Sequence, residues 1–337
     1  MTSDAPLRYL SNSQVELLLE CSWKHKLKYI DGISEQPNEH ILIGAAVHKG
    51  VETYRIAQLE NRLGEWSEQQ RNQACLNALN EEFDKLVYNA ENGIANEGSS
   101  SRPASVGVNW SRGMNADRSR SLAKQLLSVY FYREAESDVV GMEKVPLAHL
   151  ETPVSIEEDF MVPIPNTTWF AKGRFDMRTK DRLVDLKTAK QRYSQKEMDK
   201  KTQPSMYSMA LLAKSGEWVP EFYFHILIKP AKSVWSPESG EMPPTSLQAY
   251  RAAVQRTRRS ASEILWFTDN LRSLVNQIET GSQVKRQNAD WCDYCGVAKS
   301  CKPWLSGNGQ DEQDMVQLLR ENFSRVSAGH GPAGKER

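Results

Sequence analysis

The chain has 337 residues, and its 43 basic and 43 acidic side chains cancel to a formal net charge of zero. Hydrophobic residues make up 39% and charged residues 26%. That is an ordinary folded composition, which excludes a disordered chain and a uniformly basic nucleic-acid coat protein but leaves room for a local basic groove.

No apolar run approaches the roughly 18 residues of a membrane span, so no membrane association is expected. MTSDAPLRYL has no basic region followed by an apolar core. No export signal is expected, and the cytoplasm is the expected compartment. The spacing of Val15, Leu18, Leu19, Trp23 and Leu27 predicts a helix over 11–30, opened by a capping box of Ser11 and Gln14. Helices are predicted over 43–60 and 66–90, the second ended by Asn92-Gly93. GIANEGSSSRPASVG is a loop by composition, and a helix around 117–136 follows. The pattern then changes to short β-type segments, HLETPVSI, TWFAKGRFDMR and RLVDLKTA, separated by turn residues. Residues 204–214 turn helical, FYFHILI at 222–228 is a buried strand, and a long helix or helix pair covers about 244–280. A cysteine segment at 291–304, a short helix near 311–323 and a polar tail complete the chain.

This order implies an α/β core sheet with large helical additions, without the regular alternation of a doubly wound fold. The expected organisation is a helical region at 1–140, the core sheet at 141–235, a second helical region at 236–325 and a disordered tail at 326–337.

The chemistry concentrates in GRFDMRTKDRLVDLKTAK. Asp185 and Lys187 are two apart on a strand and share a face, and a hairpin brings Asp176 beside Asp185. Two carboxylates with a nearby ammonium suit a divalent metal that activates water for attack on a phosphodiester. Lys187 is then placed to position the water or to stabilise charge on the phosphate. Asp199-Lys200-Lys201 repeats the triplet in a polar stretch with no strand around it and serves as a decoy. His48, on a helix that starts near Gly44, is a further metal-ligand candidate, with Glu52 one turn on to orient its ring. Gln203 and Tyr207 share one helical face behind Pro204.

There are five cysteines, an odd number, which argues against a disulfide framework and for a reducing compartment. Cys292, Cys295 and Cys301 have the close spacing of a shared metal or cluster. Cys21, in the polar and aromatic context LECSWKHKLKY, is the chosen fourth ligand, and Cys75 reads as core. A zinc knuckle closed by a local residue is the alternative, and spacing alone does not separate zinc from iron–sulfur.

In order, these motifs resemble the RecB-like branch of the PD-(D/E)XK nucleases, and within it the iron–sulfur members among CRISPR-associated and phage-encoded exonucleases. The resemblance runs over about residues 9 to 305, through Gly44/His48, Gly173/Asp176, Asp185/Lys187, Gln203/Tyr207 and the cysteines. It implies a restriction-endonuclease-like core sheet flanked by helices, with the N- and C-terminal helical regions joined by a [4Fe–4S] cluster on Cys21, Cys292, Cys295 and Cys301. It implies Mg²⁺ or Mn²⁺ on His48, Asp176, Asp185 and the Leu186 carbonyl. Lys187 is the implied catalytic lysine, and Gln203 and Tyr207 are implied to contact DNA or order the site.

The implied activity is DNA exonuclease on single-stranded ends, 5′ to 3′, in recombination, repair or phage DNA metabolism. CRISPR spacer-acquisition end trimming and a non-catalytic cluster-binding scaffold are the alternatives. A recombination, single-strand-binding or CRISPR-integration protein is the kind of partner implied. No G-x-x-x-x-G-K-[ST] loop occurs, so no ATP-driven step is expected. DNA contacts are expected from the basic stretch Lys187–Lys201, from RAAVQRTRR, and from Lys285, Arg286, Lys299 and Lys302. Trp110, Tyr193, Trp291 and Trp304 are expected to stack on bases. The segment 91–116 is expected to act as a lid, guide or partner surface.

Overall fold

The computed structural model describes residues 8–94, 102–103, 106–283, 292, 295–297 and 301. The chain divides into two units, Met1–Arg286 and Gln287–Arg337. The helix expected near 311–323 and the tail lie outside the described residues.

The first unit is built on a seven-stranded mixed sheet. In chain order its elements begin with β1 (Tyr9–Leu10), α1 (Asn12–His25), β2 (Ile33–Ser34), α2 (Glu39–Leu59), α3 (Glu68–Glu91), β3 (Arg102–Pro103) and α4 (Ala116–Tyr132). There follow β4 (Ala135–Ser137), α5 (Leu147–Leu150), β5 (Ser155–Pro163), β6 (Phe170–Arg178) and β7 (Leu183–Ala189). Last come α6 (Gln195–Lys200), α7 (Gln203–Ser215), β8 (Glu221–Ile228), β9 (Arg251–Arg258) and α8 (Ala261–Glu279). The strands run β1-β6-β7-β8-β9-β4, with β5 on the other edge of β6, while β2 and β3 form a separate parallel pair.

Alternation along β8 feeds two cores, one on each face of the sheet. Tyr223 and Leu227 pack with α2, α3 and α4, while Phe222, Phe224, Ile226 and Ile228 pack with α7, α8 and, from α1, Val15 and Leu18. The sheet is therefore a middle layer between two helical layers. Gly50 marks a close helix crossing, because a Cβ there would lie 2.9 Å from Leu127 and 3.1 Å from the Cys75 carbonyl.

Three expectations need correction. The helix expected over 11–30 is interrupted at Cys21 (φ −157°, ψ 98°), and Lys26–Ile30 continue as a wider π turn. The span 244–280 is not one helix or a helix pair: β9 occupies Arg251–Arg258, and only α8 is an α-helix. Ala252, Ala253 and Gln255 have little strand preference of their own, so pairing with β8 over eight residues and with β4 decides the matter. The sheet also extends beyond 141–235, since β1, β4 and β9 come from outside that range.

Candidate active site

The β6–β7 ladder stops at the Met177–Val184 pair, one position short of opposing Asp176 to Asp185. Where backbone pairing ends, the Asp176 side chain takes over: Oδ2 accepts the Leu186 N–H at 3.0 Å. That oxygen lies 3.5 Å from His48 Nδ1. His48 Nε2 donates to the Leu186 carbonyl at 2.7 Å. The imidazole from α2 thus bridges the Asp176 carboxylate and the Leu186 carbonyl. Asn38 starts that helix by accepting the His40 and Ile41 N–H groups. Gly44 is not needed for close approach, since a Cβ there would meet Thr188 at an ordinary 3.8 Å. Glu52 does not orient His48; its carboxylate pairs with Lys49 at 2.9 Å.

Asp185 is 1% exposed. One oxygen lies 2.7 Å from Lys187 Nζ. The other accepts from the Gln203 amide, whose nitrogen also donates to the Tyr207 hydroxyl at 3.0 Å. Tyr207 is wedged among Phe160, Phe175 and Phe222. Gln203 and Tyr207 therefore stand buried behind Asp185, at the start of α7. Burial, with Asp176 nearby, pushes the Asp185 carboxyl up to about 6. Burial pushes the Lys187 ammonium down, but Asp185 and Asp176 more than offset it and hold it above its usual value. Burial, then Asp176 and Asp185, raise the Tyr207 phenol well above its ordinary range.

Glu157 joins this group, and the sequence did not point to it. It sits on β5 between Ile156 and Glu158, which pair with Met177 and Phe175, so it faces Asp176 across the ladder. Its φ is +47°, a conformation that a glutamate rarely takes. Burial and then Asp176 push its carboxyl up to about 8. Glu157-Glu158-Asp159 reads as a solvated acidic run, and β5 begins only at the end of HLETPVSI. A strand placed in register with β6 would have been the signal.

One nitrogen of His48 and one carboxylate oxygen each of Glu157 and Asp176 lie within 4.8 Å of one another. A set of one nitrogen and two oxygens fits Mg²⁺ and suits Mn²⁺ well. Asp185 is not in that set; Lys187 and Gln203 stand at its two oxygens. A cavity of about 30 Å³ beside His48, Glu157 and Asp176 has room for an ion and a water, not for a nucleotide.

The expected DNA contacts divide. Arg251 pairs with Glu136, Arg256 and Arg258 with Glu221, and Arg259 is buried against the Met198 and Lys201 carbonyls. Tyr193 packs on Phe224, with Lys201 over its ring. Trp110 packs on the core. Lys285, Arg286, Trp291, Lys299, Lys302 and Trp304 lie outside the described residues. The decoy Asp199 is exposed on α6, where it accepts from Gln195 at 2.7 Å.

Cys21 Sγ accepts the Lys24 N–H at 3.4 Å, which makes it the cap of a restarted helix. Burial pushes the Cys75 thiol up to about 11, as for an inert core thiol. In the second unit the Cys295 N–H donates to the Cys292 carbonyl at 3.3 Å, and the Cys301 N–H to the Val297 carbonyl at 2.9 Å. Cys21 belongs to the first unit and the other three to the second. Among the described residues no helix is long and apolar enough to cross a membrane.

No curated protein matches the chain. The family model for the PD-(D/E)XK nuclease superfamily matches residues 9–302. Because that match takes in the first strand, both acid-bearing strands, the histidine helix and α7, the chain belongs to the PD-(D/E)XK nuclease superfamily.

Proposed function

We propose that this nuclease is a divalent-metal-dependent DNA exonuclease that works on single-stranded ends, from 5′ to 3′, in recombination, repair or phage DNA metabolism. The observation that carries the reading is the unbroken chain of contacts from His48 through Asp176 and Leu186 to Asp185 and Lys187. His48, Glu157 and Asp176 would hold Mg²⁺ or Mn²⁺, which supplies Lewis-acid charge to the phosphate when bound. Lys187, kept charged by Asp185, holds the attacking water or neutralises charge growing on the phosphate oxygens. Gln203 fixes the Asp185 carboxylate, and Tyr207 fixes Gln203, so neither needs to touch DNA.

A [4Fe–4S] cluster on Cys21, Cys292, Cys295 and Cys301 belongs to the same proposal. Its support is the close spacing of Cys292, Cys295 and Cys301.

A gel time course on linear single-stranded DNA with Mn²⁺, labelled at each end in turn, tests activity and polarity together. Early release of mononucleotides from the 5′ end is expected. Equal cutting of closed circular duplex and linear single strands overturns the end-dependent reading.

A further inference from the structure

A second, larger cavity, about 320 Å³, opens where β7 and β8 end, at the first turn of α2. Its charged rim is Arg112, Lys190, Lys229 and Lys232, with His40 between them. None of the four cations has a carboxylate within ion-pairing distance among the described residues. Some surface arginines elsewhere are paired, as Arg251 is with Glu136 and Arg256 with Glu221. Of the two acids at the cavity, Glu39 offsets the desolvation of Lys229 only in part. Glu39 is buried and committed to Ser111, accepting from both its N–H and its hydroxyl, and Glu238 is exposed at the far rim. Lys229 Nζ lies 3.2 Å from His40 Nδ1, and burial, opposed in part by Glu39 and reinforced by Lys190, pushes its ammonium down to about 8. The wall behind the cations is apolar, formed by Ile43, Met114, Leu122 and Trp235.

The cavity is aligned with the metal-ligand candidates. His40 and His48 share α2 eight residues apart, about 12 Å along its axis. Lys190 follows Lys187 by three residues past the end of β7, about 10 Å. That is the span of one or two nucleotides of an extended strand.

Resting on the nuclease reading, we infer that this cavity binds a phosphate group of the nucleic-acid strand, one or two nucleotides from the bond being cut. The four cations supply the charge, and the apolar wall accommodates the attached sugar or base. The phosphate is either the terminal monoester of a 5′ end or an internal diester, and the two share the chemistry that the cavity recognises.

The test is binding, so it stands apart from cleavage. With 3′-labelled single-stranded oligonucleotides in EDTA, fluorescence anisotropy compares the full chain with Lys190→Ala/Lys229→Ala and with Arg251→Ala/Arg256→Ala. The lysine pair should bind at least tenfold more weakly, with the slope of log affinity against log salt reduced by about 0.7 for each phosphate that is no longer neutralised. The arginine pair should bind as the unaltered chain does. Greater loss for a 5′-phosphorylated than for a 5′-hydroxyl strand assigns the terminal phosphate, and equal loss assigns an internal one. Unchanged affinity and salt slope in the lysine pair, with an unchanged melting temperature, overturns the inference whether or not the protein proves to cut DNA.

Discussion

Glu157 stands across the β5–β6 ladder from Asp176, held at a φ of +47° between two regular pairs. A left-handed glutamate costs about 1 kcal/mol or more, and bringing a second carboxylate to Asp176 adds repulsion. Arg174, 3.7 Å from the Glu157 carboxylate, offsets part of that repulsion, and a bound cation would offset more.

The first prediction uses that position. The Glu157 carboxyl rises from an ordinary 4.5 to about 8 in the fold. A raised value means that the folded state holds a proton the unfolded chain releases. The associated stability is present below about 4.5 and is lost as pH climbs towards 8. In EDTA, wild type should therefore lose melting temperature relative to Glu157→Gln between these limits, and Glu157→Gln should be the more stable at pH 8 and above. The same substitution removes a proposed direct ligand and should weaken Mn²⁺ binding by at least the roughly 10–100-fold that loss of an outer-shell partner costs. Melting curves that stay parallel across pH, together with unchanged Mn²⁺ titration heats, would remove Glu157 from the site.

The second prediction separates positioning from DNA contact. Gln203→Ala removes the amide that fixes Asp185 and leaves a buried carboxylate with one fewer donor. Its turnover should fall about 10–100-fold, while single-strand affinity in EDTA stays at the wild-type value. Tyr207→Phe keeps the ring among Phe160, Phe175 and Phe222 and should show a smaller fall in the same direction. A loss of DNA affinity matching the loss of rate would mean that these side chains reach the strand after all.

How much of this was legible depended on whether the cause was local. Asp185 and Lys187 share a face because a strand alternates, and that rule needs no partner. Gly173 was visible as part of a motif, but its reason was not. A Cβ there would sit 2.5 Å from the Phe160 ring, which lies across it from the neighbouring strand. Glu157 and β9 were missed for a related reason. Each owes its place to the register of another strand, and residues 251–258 carry a composition compatible with a helix until β8 pairs with them. The break at Cys21 falls within an otherwise periodic helix and leaves no trace in hydrophobic spacing. The arginines of β9 read as a free basic run because the sequence does not show that Glu136 and Glu221 neutralise them.

The third prediction concerns the cysteines. Protein purified without oxygen should be brown and carry iron and sulfide, near four of each per chain for a [4Fe–4S] cluster. Cys21→Ser should lose the colour, since it removes one of the four proposed thiolates. Cys75→Ser should keep it, because that thiol is buried in the core and burial pushes it up to about 11. Colourless protein with one zinc per chain would replace the cluster with a zinc site, and unaltered iron content in Cys21→Ser would remove Cys21 from the ligand set.

The fourth prediction places the chemistry on one triplet rather than the other. Asp185 is buried, tied to Lys187 and Gln203, while Asp199 is exposed on a short helix and its carboxylate accepts from Gln195 one turn away. Asp185→Ala should abolish cleavage. Lys187 keeps some access to solvent, so its ammonium is not stranded, and the fold should persist by circular dichroism. Lys187→Ala should also stop cleavage, but Mn²⁺ titration should show binding close to wild type, because an ammonium is not a ligand and His48, Glu157 and Asp176 are untouched. His48→Ala should do the reverse, weakening Mn²⁺ binding so that excess metal restores part of the rate. Asp199→Ala is the control and should cut at close to the wild-type rate. An inactive Asp199→Ala beside an active Asp185→Ala would move the site to α6, where the other acid, Glu197, is taken up by the Ser194 N–H at the helix start and no group of three metal-ligating side chains gathers among the described residues, and the nuclease mechanism proposed for this sheet would fall with it.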